Sequence, residues 1–177
     1  MPIVIRPARS DGDFAALFAL RTRMQDWDIA MSAAAGKRLQ DVQTAHCSAD
    51  TKALRHTFTG ACMLLAWDAG QPIGTLGYSR FQDHTAEIQH FYVAAEARGK
   101  GAGRARLMQV LTRLTAEGYG HACLETATFM TPAFALNSTM GFQTCPLFRP
   151  PPPGPDGFSV FMNRACGTVD AAHLFGG

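Results

Sequence analysis

Apolar and polar residues along this chain follow two rhythms, and the switches between them mark out its elements. Glu87 to Val93, EIQHFYV, sets Ile88, His90 and Tyr92 on one side and Glu87, Gln89, Phe91 and Val93 on the other, the period of two that a strand needs. Ala61 to Trp67, ACMLLAW, is apolar on both faces and reads as a buried strand. Asp68 to Gln71 reads as a turn, and Pro72 to Arg80 as the returning strand of a hairpin, weakened by Gly74 and Gly77. Phe81 to Thr85 reads as a short polar loop. Further strands are expected over Ile3–Arg6, His121–Thr126, from Phe142 onward, and Phe158–Arg164.

The helical rhythm appears where apolar residues recur every three or four positions. Ser10 and Asp13 have the spacing of a capping box, and Phe14, Leu17 and Phe18 form one apolar face of a helix reaching about Arg23. Met24 to Met31 has no clear period. Ala33 to Thr57 reads as helical, in one or two pieces, with Leu39, Val42, Leu54 and Phe58 inward. Leu107, Met108, Val110, Leu111 and Leu114 give the next helix its apolar face, with Arg104, Arg106, Gln109 and Arg113 opposite and Gly118 as its stop. Thr131 and Pro132 read as an N-cap and first helical residue, and Gly141 as the left-handed end of that helix. Pro146 to Pro155 holds a run of prolines and is expected to be extended and stiff. The order β, helices, β, β, β, helix, β, helix, β, β predicts a mixed α/β sheet in a single domain over residues 1–166, with 167–177 as a C-terminal tail.

Composition narrows the function classes. A chain of 177 residues suits one domain with a core of its own. The net charge of +2, with no aromatic residues interleaved among the basic ones, argues against nucleic acid as a partner. No apolar run approaches the about 18 residues of a membrane helix, and the first residues lack a signal-peptide core, so no membrane partner and a cytoplasmic location are expected. The five cysteines are widely spaced without CxxC, and no HExxH occurs, so neither a disulfide framework nor a metal is expected.

The chemistry concentrates in Arg98–Arg104, RGKGAGR, between the strand at Glu87 and an amphipathic helix. Glycines let successive backbone N–H groups turn to one side and keep side chains out of their way, and the following helix adds its unpaired N–H groups and dipole. The arrangement suits a phosphate or pyrophosphate. It is not a dinucleotide fingerprint, because Arg104 stands where the last glycine of GxGxxG belongs. Nor is it a P-loop, because Gly101 follows Lys100 where Ser or Thr is required. A kinase glycine loop would precede a lysine strand and a catalytic loop, and neither is present. The remaining alternative is a glycine-rich surface turn.

RGKGAG fits the pattern Arg/Gln-x-x-Gly-x-Gly/Ala, and here the chain resembles the GNAT superfamily of N-acetyltransferases, in particular small bacterial members. The resemblance covers nearly the whole chain, from Ile5–Asp13 onward, and is strongest from Glu87 to Phe142, including LETATFMTPAFALNSTMGF at Leu124–Phe142. It implies a GNAT-type mixed, mostly antiparallel central sheet flanked by helices. It implies acyl transfer, other than aminoacyl transfer, from acetyl-CoA as co-substrate to a small-molecule or protein amine. By the same resemblance, Arg98, Gly99, Lys100, Gly101, Ala102, Gly103 and Arg104 hold the pyrophosphate, and the strands at Glu87–Val93 and His121–Thr126 splay. The pantetheine arm then lies along Phe91, Tyr92 and Val93, with the N–H near Val93 polarising the thioester carbonyl. Glu87 is the first candidate for the base that deprotonates the amine and Glu125 the second; the alternatives are a surface glutamate and a structural one.

The chain departs from the family at two places. Asn137 stands where most members carry the tyrosine that protonates the departing thiolate, and an amide is no general acid. The proton would then come from water or Tyr92, with Asn137 left to hydrogen-bond the cofactor. Met130 replaces an asparagine found in many members. His90 reads as a packed residue rather than a base. Asp26 and Asp28, in a segment where the family builds its acceptor pocket, read as a solvated loop more readily than as amine ligands. Two other functions compete: an acyl-CoA-binding module with weak or lost catalysis, which Asn137 favours, and an interaction protein that keeps only the shape. Members are often dimers, so a homodimer is among the expected assemblies.

Overall fold

The computed structural model describes residues 3–36, 50–150 and 159–167. A seven-stranded sheet runs in the order β1-β2-β3-β4-β5-β7-β6. The strands are β1 (Val4–Pro7), β2 (Cys62–Asp68), β3 (Gln71–Gln82), β4 (Thr85–Val93), β5 (His121–Ala127), β6 (Gln143–Thr144) and β7 (Ser159–Ala165). Every neighbouring pair is antiparallel except β4 and β5. The helices are α1 (Asp11–Ala34), α2 (Thr51–Thr57), α3 (Ala102–Ala116) and α4 (Thr131–Thr139). The single α/β domain with a mostly antiparallel sheet is the expected one. None of the described helices is long and apolar enough to cross a membrane.

Two cores sandwich the sheet. On one face, Leu107, Val110, Leu111 and Leu114 of α3 pack with Leu64, Leu76, Ile88, Leu124 and Met162, and with Met140 and Phe142 beyond α4. On the other, Leu17 and Leu20 of α1 and Leu54 and Phe58 of the α2 region pack on Met63, Leu65 and Tyr92. β2 therefore feeds both cores, as its two apolar faces predict. The β2–β3 turn has only Ala69 and Gly70 between the strands, both at positive φ (47° and 79°), a tight hairpin turn whose twist matches its strands.

Several expectations shift. α1 begins at the predicted capping box, where Ser10 and Asp13 bond each other's backbone N–H groups. It does not stop near Arg23 but continues through the aperiodic Met24–Met31 to Ala34, where Met24 and Trp27 find apolar cover in the core on this face, Trp27 against Tyr92 of β4. Of the expected helix Ala33–Thr57, the structure keeps the end of α1 and the short α2; Leu39 and Val42 lie outside the described residues. Phe81 belongs to β3 rather than to a loop, and the turn is only Asp83–His84. The N-cap of α4 is Met130, one residue before the expected Thr131. The strand after Phe142 is two residues long. Within the proline run, 146–150 has no regular structure, and 151–158 lies outside the described residues, as does the tail from 168.

The largest departure is Arg106. Helical phase places it on the polar side of α3, yet it is fully buried, and none of its guanidinium nitrogens has a hydrogen-bond partner among the described residues. It lies against bare Gly74, where a Cβ would stand 1.8 Å from Nη1 and 2.5 Å from the Tyr92 carbonyl oxygen. Burial pushes its pKa down to about 10.

Candidate functional site

The parallel pairing of β4 with β5 runs only from Thr85 opposite His121 to Ile88 opposite Leu124. Beyond it the strands part: β4 stays with β3 and β5 with β7. A bulge in β4 lies at the fork. Between Tyr92–Thr75 and Gln89–Gly77, β4 spends one more residue than β3, and His90 sits there at φ 54°. A left-handed residue of this kind costs about 1–2 kcal/mol, and a bulge bends its strand away from a neighbour. The His90 ring packs edge-on against Phe58 at 4.8 Å. Burial, and then the charge of Arg21, hold its imidazole down at about 3, so it is neutral at physiological pH.

The bulge resets the alternation. Glu87 and Gln89 share a face with Tyr92, while Phe91 joins Ile88 on the α3 side. This corrects the unbroken period of two, which placed Ile88 with Tyr92 and Glu87 with Phe91. It also sets Tyr92, a candidate source of the thiolate's proton, apart from Asn137. Tyr92 packs under α1 against Trp27 and beside Arg23, whereas Asn137 belongs to α4 on the opposite face. The structure does not bring Tyr92 to Asn137.

Just past the bulge, Ala94 N–H donates to the Ile73 carbonyl at 2.9 Å. Successive residues of an antiparallel strand present their amides to alternate sides, so Val93 turns its own toward the opening. Its carbonyl accepts from Arg98 Nε at 2.9 Å, and the Arg98 guanidinium lies over the Trp27 ring at 4.3 Å. Arg98 thus ties the strand end to α1. Arg23 and Glu96 add a two-pronged pair at 2.8 and 2.9 Å.

The loop follows at once. Gly99 and Gly101 both hold positive φ (75° and 76°), which other residues adopt at a cost. Gly101 is the N-cap of α3 and offers no capping side chain. Among the described residues, no backbone N–H from Gly99 through Arg104 makes a close, well-aligned hydrogen bond within the chain. A row of orphan donors at a helix N-terminus is an anion site in waiting, and the exposed Lys100 and Arg104 add charge to its rim. Ala102 is buried beneath it. At Gly103 a Cβ would come 3.2 Å from Leu136, 3.5 Å from Val93 and 3.6 Å from Phe91, so bare backbone here brings α3, β4 and α4 together. Next to Leu136, Asn137 is 3% exposed and its Oδ1 has no partner among the described residues. An orphaned buried acceptor of this kind suits a donor brought in by a ligand.

The two candidate bases point from β4 and β5 to the α1 face, and the structure joins them through a residue the sequence did not single out. Arg149 donates from Nη1 to Glu87 and from Nη2 to Glu125, the latter at 2.7 Å. Glu87 also accepts from Gln89 Nε2 at 2.9 Å, and Glu125 from Ser159 Oγ at 2.7 Å. Glu87 is therefore a buried, ion-paired group (4% exposed) and not a surface glutamate. Arg149 is carried by the irregular stretch after β6, where Phe148 wedges between Phe81 and Phe161 at 5.1 and 4.7 Å. Nothing in the local sequence marks it: a lone arginine before a proline run has no period and no motif. Beside it a cavity of about 230 Å³ opens between Phe81, Thr85, Cys123, Cys145 and Phe148.

Residues 23–142 match the model of the acetyltransferase (GNAT) family. Human N-acetyltransferase 8 (Homo sapiens) is 29% identical over 89 residues, 48% of this chain and 39% of that protein, so the match spans well under half of that relative's length. Solved structures share the fold. The PaiA N-acetyltransferase of Thermoplasma acidophilum, in complex with coenzyme A, superposes with a TM-score of 0.73 at 17% identity, over 93% of this chain and 99% of that one. The ribosomal-protein-S18-alanine N-acetyltransferase of Escherichia coli gives 0.67 at 16% identity, over 98% and 100%.

Proposed function

The chain belongs to the acetyltransferase (GNAT) family, and from that premise we propose that it moves an acetyl group from acetyl-CoA to an amine by direct attack. The observation that carries this is the run of unpartnered amides from Gly99 to Arg104 opening beside a forked β4 and β5. The amide row takes the diphosphate. The fork takes the pantetheine arm, whose own amides pair with strand groups that otherwise lack partners. The Val93 N–H donates to the thioester oxygen as charge develops on it. Asn137 Oδ1 accepts a hydrogen bond from the arm, which supplies its missing partner.

On the other side of the sheet, Glu87 takes a proton from the incoming ammonium, directly or through water, with Glu125 second. The freed nitrogen lone pair attacks the thioester carbon. A C–N bond forms, the C–S bond breaks with its electron pair leaving on sulfur, and the acylated nitrogen gives up its second proton to solvent to become the amide. Asn137 supplies no proton, so the thiolate takes one from solvent. A thiol ionises near pH 8.5, so its departure needs little help. One observation favours a second reading, a binding module without catalysis: Arg149 engages both carboxylates.

Calorimetry with acetyl-CoA and a screen of amines for thiol release separate the two. The enzyme reading expects binding heat in the native chain and in Glu87→Gln, with release falling at least about 100-fold in the variant, the size of a general-base contribution. Heat in both proteins but no release from the native chain with any amine leaves the binding module. No heat in either ends both readings.

A further inference from the structure

We propose that Arg149 stands, in the free protein, where the acceptor's ammonium binds, so that acceptor entry exchanges one cation for another and selects cationic amines. The inference rests on the acetyltransfer reading and adds its acceptor class. Glu87 and Glu125 come from the two strands that flank the fork, and all four of their carboxylate oxygens already receive a donor: two from Arg149, one from Gln89 and one from Ser159. An ammonium cannot reach either carboxylate as a proton donor while the guanidinium lies between them. Displacing Gln89 or Ser159 instead would leave an amide or hydroxyl unpaired in a half-buried setting. Displacing Arg149 leaves nothing buried unpaired, because its side chain is already 37% exposed and can turn to water. Its backbone lies in a stretch without helix or strand, next to an exposed Leu147.

Charge decides which amines can make the exchange. The two carboxylates and one guanidinium sum to −1. A monocation replacing Arg149 keeps that balance, and a dication relaxes it further. A zwitterion brings its own carboxylate into a site that already carries net negative charge, and like charges repel. The native chain is therefore expected to use 1,4-diaminobutane better than butylamine, and butylamine better than 4-aminobutanoate. These three share a four-carbon chain and differ at the far end.

The test is kinetic and structural. With acetyl-CoA saturating, Arg149→Gln is expected to lower KM for butylamine about tenfold, roughly 1.4 kcal/mol of competition removed, with kcat within about twofold and acetyl-CoA heat unchanged. Arg149→Lys keeps a cation in place and is expected to stay near the native KM. A turnover-free measurement backs this: millimolar methylguanidinium is expected to raise the melting temperature of Arg149→Gln, but not of the native chain or of Glu87→Gln/Arg149→Gln. An unchanged or raised butylamine KM in Arg149→Gln, or no stabilisation by methylguanidinium, overturns the proposal. So does a native preference for 4-aminobutanoate that Arg149→Gln abolishes, since Arg149 would then be gripping an acceptor carboxylate. Those results sink the exchange alone. Absence of acetyl-CoA heat in the native chain sinks the acetyltransfer reading beneath it.

Discussion

Replacing Arg106 with methionine should make the protein more stable, although it removes the longest side chain in the core. Burial brings Arg106 well below the ordinary arginine range, down to about 10. At about 1.4 kcal/mol for each unit, keeping this charge in the fold costs about 3 kcal/mol. The geometry gives the same order. No guanidinium nitrogen has a hydrogen-bond partner among the described residues, and a buried unpaired ion costs several kcal/mol. The Phe91 ring at 6.0 Å, the outer limit for a cation–π pair, compensates by about 0.5 kcal/mol. Methionine keeps the unbranched stem that packs over Gly74 and drops the charge. We expect Arg106→Met to gain about 1–3 kcal/mol, read as a higher urea midpoint at unchanged slope, with a melting temperature several degrees higher. The pH dependence has a definite sign. Above about pH 10 the unfolded native chain still binds a proton that the folded one has lost, so the native protein gains stability as pH rises from there toward the ordinary arginine range. The advantage of Arg106→Met should therefore shrink above pH 10. A loss of more than about 1 kcal/mol at pH 7 would refute the reasoning, because it would mean that the guanidinium has a partner after all.

Two further predictions follow from particular groups. Asn137→Leu removes an orphaned buried acceptor; the free protein should be as stable or up to about 1 kcal/mol more so, while calorimetry shows acetyl-CoA binding weakened about tenfold. A clear destabilisation with unchanged binding would make Asn137 a structural residue only. Asp13→Ala should cost about 1–2 kcal/mol by denaturant unfolding, the worth of a lost cap. Arg6 first, then the backbone and side-chain donors of Ser10 and Arg9, hold the Asp13 carboxyl well below the usual carboxylate range against the opposing effect of burial. Its stabilisation is present above about pH 4 and fades as pH falls below that, so the variant's stability should decline less steeply in acid; an identical acid slope would count against it.

The sequence by itself determined what depends on near neighbours. The capping box at Ser10 and Asp13, the two-faced strand at Ala61–Trp67 and the helix stop at Gly118 are each written in a few adjacent residues, and each is found in place. So is the glycine loop, because freedom at positive φ and absence of a side chain belong to the residue itself; the pattern sufficed to point to the family. The sequence could also nominate Glu87 and Glu125, but only as separate carboxylates. Tertiary structure decided the rest. The bulge at His90 shifts the phase of β4 because pairing with β3 and packing on Phe58 outweigh an unbroken alternation. Met24–Met31 is helical where the core on this face covers Met24 and Trp27, not because of any period of its own. Arg106 is inside because its position on α3 faces bare Gly74, and helical phase read along the chain assigns polar residues outward by default. Arg149 reaches Glu87 across 62 positions of sequence and Glu125 across 24. Bonds between groups so far apart are set by how the sheet brings strands together, and no local rhythm encodes them.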